Sequence, residues 1–148
     1  MSVVEFSFSG TPVAKGRPRA TVRGGAQRFA TMFTDPKTRA YESAVKKLAR
    51  VVMGDRPPFE GALSVSLRFR FEPPKSLSKR ARAALLSGEA AYTGTKDVDN
   101  LAKAVLDGMN TVAFVDDVQI VRLFVTKVAA AKAGVDVRVE ALTPQVPA

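Results

Sequence analysis

The chain has 148 residues, 46% of them hydrophobic, with 23 Lys and Arg against 14 Asp and Glu, a formal charge of +9, and neither cysteine nor histidine. This length predicts one domain over residues 1–148 that buries a core without staples, and the missing residue types exclude disulfides, thiolates, an imidazole base and the commonest zinc ligand, leaving catalysis to carboxylates, lysines, hydroxyls or a hard metal ion. No run approaches the roughly 18 apolar residues of a membrane span, and MSVVEFSFSG lacks the layout of a signal peptide, so a cytoplasmic location without membrane contact is expected.

Val4, Phe6 and Phe8 alternate with Glu5 and Ser7, which predicts a half-buried strand ending at Ser9-Gly10-Thr11-Pro12. VAKGRPRATVRGGAQRF then reads as a basic loop or loose hairpin carrying Lys15, Arg17, Arg19, Arg23 and Arg28, with Gly24-Gly25 at its tip. Asp35-Pro36 supplies an N-cap acceptor and a proline at the first helical position. From there Tyr41, Ala44, Val45, Leu48, Val51 and Val52 recur at helical spacing until Gly54 stops the helix. Leu63, Val65, Leu67, Phe69 and Phe71 alternate strictly with Ser64, Ser66, Arg68 and Arg70, the clearest strand pattern in the chain. After Pro73-Pro74, SLSKRARAALLSG predicts a short basic helix capped by Ser78 and closed by Gly88.

A further helix is predicted from Asp97 to Met109 through Leu101, Ala102, Val105 and Leu106. Val118 to Val128 is apolar on both faces, as in a central strand. Val135, Val137, Val139 and Ala141 alternate with Asp136, Arg138 and Glu140 in a last antiparallel strand, and TPQVPA is expected to fray. This order of elements predicts an α+β two-layer sandwich, a mixed sheet of about four strands with helices packed on it.

Charge is polarised along the chain. Met1 to Pro58 carries eleven Lys and Arg against four Asp and Glu, and Phe59 to Ala90 six against three, whereas Ala91 to Lys127 carries four against five. A basic body suits a polyanion such as nucleic acid, although it also serves solubility. Asp97 and Asp99 stand at a helix start, where free N–H groups and the helix dipole favour carboxylates, so capping explains them as readily as a metal does. Asp116-Asp117 stand ahead of a strand, where a turn carboxylate is ordinary. The two pairs meet only if Val112 to Val115 runs back along the helix as an extended path. Were they to meet, four carboxylates would repel unless a cation or a shared proton joined them. Hard oxygen ligands without His or Cys then point to Mg²⁺ or Mn²⁺.

Lys103 follows Asp99 by four residues and shares its helix face, serving either a phosphate or a plain i,i+4 ion pair. Asn100 and Gln119 flank the acids and either orient them or are ordinary helix and strand residues. As neighbours on a strand, Asp116 and Asp117 would point to opposite faces and could not ligate one ion equally.

KDVDNLAKAVLDGMN followed by VAFVDDVQI resembles the RusA family of Holliday junction resolvases, endodeoxyribonucleases often encoded by prophages. The signature of that family joins an Asp-x-Asp-Asn-x-x-Lys helix start to a later Asp-Asp-x-Gln. GTPVAKGRPRA and PKSLSK add to the likeness, which reaches all of the chain except its last strand. The resemblance implies a homodimer that binds branched DNA at four-way junctions and nicks two symmetric strands with Mg²⁺, in recombination and repair. Residue by residue it implies Asp97, Asp99 and Asp117 as metal-binding acids, Asp116 as a neighbour in the same site, and Lys103 as a catalytic or phosphate contact.

Lys15, Arg17 and Arg19 are candidates to grip DNA phosphates, an expectation that rests on composition. Phe29 and Phe33 suit core packing better than base stacking. The rival reading is a noncatalytic DNA-binding module whose acids hold a structural ion, and an intact Lys103 beside four acids argues against it. A nucleotide phosphotransferase would call for a glycine-rich GxxxxGK[ST] loop, which the sequence lacks.

Overall fold

Alternation of period two builds strands at the start, middle and end of the chain, and 3.6-residue spacing builds the helices between them. The computed structural model describes residues 3–16, 19–23, 29–33 and 35–142. In chain order these form β1 (Val3–Ser9), β2 (Arg19–Arg23), β3 (Phe29–Phe33), α1 (Pro36–Met53), β4 (Leu63–Phe71), α2 (Lys79–Ser87), α3 (Val98–Met109), a 3-10 turn (Asp117–Gln119), β5 (Ile120–Ala129) and β6 (Gly134–Ala141). Four strands make a mixed sheet in the order β1-β6-β4-β5, with β6 antiparallel to both β1 and β4, and β5 parallel to β4. Parallel neighbours need a crossover connection, supplied here by α2 and α3. β2 and β3 pair as a separate antiparallel ribbon. The expected Gly24-Gly25 tip, Arg17, Arg28 and the tail from residue 143 lie outside the described residues, as do the side chains of Arg19, Phe29 and Phe33.

One face of the sheet is the core. Leu63, Val65, Leu67, Phe69 and Phe71 of β4, Val135, Val137 and Val139 of β6 and Val4 of β1 are buried against Val45, Ala49 and Met53 of α1 and Leu101, Val105 and Met109 of α3. The α1 terminus follows its sequence signals: Asp35 accepts from the Lys37 N–H at 2.9 Å, with Pro36 behind it. Ser78 likewise caps α2 by accepting from the Ala81 N–H at 3.1 Å. At Gly108 of α3 an added Cβ would lie 2.8 Å from the Val45 Cβ and 3.0 Å from the Glu42 carbonyl oxygen. Bare backbone at that position is what lets α1 and α3 approach so closely. No helix among the described residues is long and apolar enough to cross a membrane.

The stretch after α3 departs from its expected course. Val112 and Ala113 both donate their N–H groups to the Met109 carbonyl at 3.0 Å, and Thr111 takes φ 70°, a left-handed value that a β-branched residue seldom adopts. The chain therefore turns tightly instead of running back extended. Burial explains the turn: Ala113 and Phe114 are fully enclosed, and Phe59 N–H bonds the Ala113 carbonyl at 2.8 Å. Ala113 and Phe114 of the run VAFV plug the core rather than forming a strand, while Val115 is left exposed.

Asp117 then opens the 3-10 turn and the strand begins only at Ile120. Strict alternation consequently does not govern Asp116 and Asp117. Nor is the expected central strand central, because β5 lies at the edge of the sheet. Its apolar residues leave Val121, Leu123 and Phe124 exposed.

Candidate active site

Asp97 occupies the N-cap position of α3, yet its carboxylate makes no capping hydrogen bond. Asn100 Nδ2 stands 3.4 Å from Asp97 Oδ2, long for a hydrogen bond, and both Asp97 and Asp99 are exposed. Of the two explanations open from the sequence, capping does not account for Asp97 in this geometry. The chain leading into α3 is pinned by two lysines. Lys127 of β5 donates to the carbonyls of Thr93 and Lys96, the latter at 2.8 Å. Lys96 itself donates to the Pro12 carbonyl and lies 5.7 Å above the Phe71 ring, and burial, with the charge of Lys37 adding to it, lowers its pKa.

Farther along α3, the half-exposed Lys103 ammonium sits 3.0 Å from Asp107 Oδ1 and 3.6 Å from Asp117 Oδ2. The i,i+4 ion pair thus forms with Asp107, not with Asp99. The other carboxylate oxygen of Asp107 accepts from Lys15, which also donates to Glu42 Oε1 at 2.9 Å and bonds the Asn100 carbonyl through its backbone N–H at 2.9 Å. A row of alternating charge, Glu42, Lys15, Asp107, Lys103 and Asp117, therefore runs from α1 across α3 to the 3-10 turn.

Each shift along this row has an identifiable cause. The hydrogen bond to Asp107 raises the Lys103 pKa against the opposing effect of burial. Burial alone would lower Lys15, but its bonds to Asp107 and Glu42 outweigh that and raise it. Burial alone would raise Asp107, and the two lysines outweigh it, holding the carboxyl below its usual 3.8. A depressed folded pKa stabilises the fold above the ordinary carboxylate range and loses that contribution as pH falls through the folded value. All three groups are charged at neutral pH.

Gln119 fixes the turn that carries the second acidic pair. Its Oε1 accepts from the Asp116 N–H at 2.8 Å, while Nε2 donates to the carbonyls of Phe59 at 2.9 Å and Gly61 at 3.0 Å. Its amide is thus engaged with backbone on both sides, stapling the turn to the loop ahead of β4. Between α3 and β5 runs a groove of about 360 Å³, walled by Val98, Ala102, Leu106, Leu123 and Val125, with Asp99 and Lys103 as its charged residues.

The structure brings Lys103 and Asp117 together and leaves Asp97 and Asp99 at the start of α3. Among the described residues no three carboxylates gather closely enough to hold a metal ion. In kind, these accessible carboxylate oxygens fit a hard divalent cation, and Asp97 has no capping bond to give up. Lys15 is tied down between two carboxylates instead of standing free in a loop. Asp107 escaped the sequence reading, although its position four residues after Lys103 is the same spacing that drew attention to Asp99.

Fold and site together describe an α+β protein whose site sets carboxylates and lysines, with the Asn100 and Gln119 amides among them, beside the exposed edge of a mixed sheet. The chain belongs to the endodeoxyribonuclease RusA family, whose match spans residues 9–140 and takes in every residue of the site. It is also 32% identical over 143 residues to a Bacillus subtilis (strain 168) protein described as "Uncharacterized protein YqaN", over 94% of this chain and 96% of that one.

Proposed function

We propose that the protein is a Mg²⁺-dependent resolvase that hydrolyses two symmetric phosphodiesters of a four-way DNA junction, with Mn²⁺ able to substitute. Family membership supports the nuclease activity, and the observation that carries the site is Lys103 held between Asp107 and Asp117 while Asp97 makes no capping bond. Asp97, Asp99 and Asp117 would hold the metal, with Asp116 beside them, and the metal would supply an activated water and relief of phosphate charge in a chain without histidine. Lys103 offers its remaining N–H to a phosphate oxygen. The basic N-terminal half provides most of the affinity for DNA. Within it Lys15, Arg17 and Arg19 are the proposed phosphate contacts, a reading that rests on their charge in the sequence.

The test is incubation with synthetic four-way junction, duplex and flap DNA, in Mg²⁺ or in chelator. Junction nicking in Mg²⁺ alone, with binding retained in chelator, is the expected result. Tight binding without cutting in either Mg²⁺ or Mn²⁺ would favour a noncatalytic module.

Paired symmetric cuts call for a two-fold homodimer with isologous contacts. Support for its location comes from β5, an edge strand with Val121 and Phe124 62% and 60% exposed. Unprotected apolar edges of this kind invite strand pairing. Two β5 strands set antiparallel about Phe124 place Arg122 opposite Thr126 and Leu123 opposite Val125, so no like charges meet. Light scattering at micromolar concentration should give a dimer, and Phe124→Asp, which sets two carboxylates face to face, should give a monomer. A monomeric wild type would end the dimer proposal; a dimeric variant would move the interface elsewhere.

A further inference from the structure

We infer that Asp107 is a positioning residue that aims the Lys103 ammonium, with Lys15 and Glu42 as its brace. The inference rests on Lys103 being the lysine of the active site. Lys103 is a long, rotatable side chain whose side chain is 52% exposed, so nothing in its own packing selects one direction. Asp107 is only 20% exposed and has both oxygens engaged, one by Lys103 at 3.0 Å and one by Lys15. Lys15 in turn cannot swing away, because Glu42 holds its ammonium and Asn100 holds its backbone. The close helix approach at Gly108 sets Glu42 of α1 beside Asp107 of α3.

Rigidity in this cluster therefore runs from the half-buried brace outward to the more exposed lysine, and Asp117 at 3.6 Å is the looser of the two contacts to Lys103. Asp107 itself need touch neither DNA nor metal. An asparagine at 107 keeps the shape but removes the charge that both lysines require, and its amide donors would face an ammonium.

The experiment uses the full chain on a four-way junction, measuring the nicking rate at saturating DNA, the dissociation constant in chelator, thermal melting, and the Lys103 ammonium signal by nitrogen-15 NMR. Asp107→Asn should slow nicking roughly 10–100-fold, the scale of a catalytic group misplaced by about an ångström. The dissociation constant should stay within about twofold, a change too small to indicate lost phosphate contacts. The ordered Lys103 ammonium signal should disappear, and Asp107→Glu should restore part of both.

Lys15→Met attacks the brace without touching the Asp107 charge and should give an intermediate loss, which keeps the inference testable if Asp107→Asn folds poorly. Wild-type nicking by a folded Asp107→Asn, alongside an inactive Lys103→Met, would overturn this inference alone. Wild-type nicking by Lys103→Met would overturn the underlying assignment of Lys103 and the inference with it.

Discussion

Asp97→Asn should reduce junction nicking by at least on the order of 10²–10³-fold, the scale lost when one group stabilising transition-state charge is removed. Binding to the same junction in chelator should be unchanged or tighter. Both halves of the expectation come from the same geometry. Asparagine matches aspartate in shape, and Asp97 makes no capping hydrogen bond to the first turn of α3, so the helix loses little. Stability should therefore move by no more than about 0.5 kcal/mol, the usual range for a surface substitution away from any cap or network. Asp35 is the contrasting case, because its carboxylate does accept from the Lys37 N–H.

Removing one negative charge from an exposed position beside a basic body lowers repulsion of phosphates, which is why affinity should hold or rise. Gel-based nicking under single turnover, a mobility shift in chelator and a melting curve together check the claim. Strong residual nicking by a folded variant would remove Asp97 from the site.

The elements legible in the sequence are those whose pattern is local. β1, β4 and β6 follow from alternation alone, and α1 and α2 from cap residues that make the expected hydrogen bonds. The placement of β5 was beyond that kind of reading, since apolar residues on both faces report what covers a strand but not which strands lie along its edges. In this sheet one edge of β5 pairs with β4 and the other has no partner strand among the described residues.

The turn at Thr111 was hidden for a related reason. Burial of Phe114 overrides the extended conformation that a β-branched and aromatic run favours, and only the position of Phe59 reveals it. At the site, helical spacing places carboxylates on both sides of Lys103 at equal distance in sequence. The choice of Asp107 over Asp99 depends on Lys15, which arrives from the far end of the chain.

Asp117→Asn should abolish nicking at every Mg²⁺ concentration tried, whereas Asp116→Asn should leave activity partly recoverable as Mg²⁺ is raised. Opposite faces of a strand cannot be the reason, because the two acids stand at a 3-10 turn ahead of β5. What separates them is what each side chain meets. Asp117 turns toward α3, where its Oδ2 lies 3.6 Å from Lys103, and so it reaches the lysine of the proposed site. Asp116 is exposed and enters the staple through its backbone N–H, which bonds Gln119 Oε1 at 2.8 Å.

Asparagine at 116 keeps that N–H and a side-chain oxygen able to face the Gln119 N–H, so the turn should hold its shape and the lost charge should act by weakening the local field for a cation. Such a deficit is met by mass action at high metal concentration. Asparagine at 117 removes a charge next to Lys103 itself, and added metal does not restore it. Nicking rates of both variants across a Mg²⁺ titration decide the matter. Recovery of Asp117→Asn but not Asp116→Asn would make Asp116 the principal ligand and reduce the Lys103–Asp117 contact to an ion pair of the resting protein.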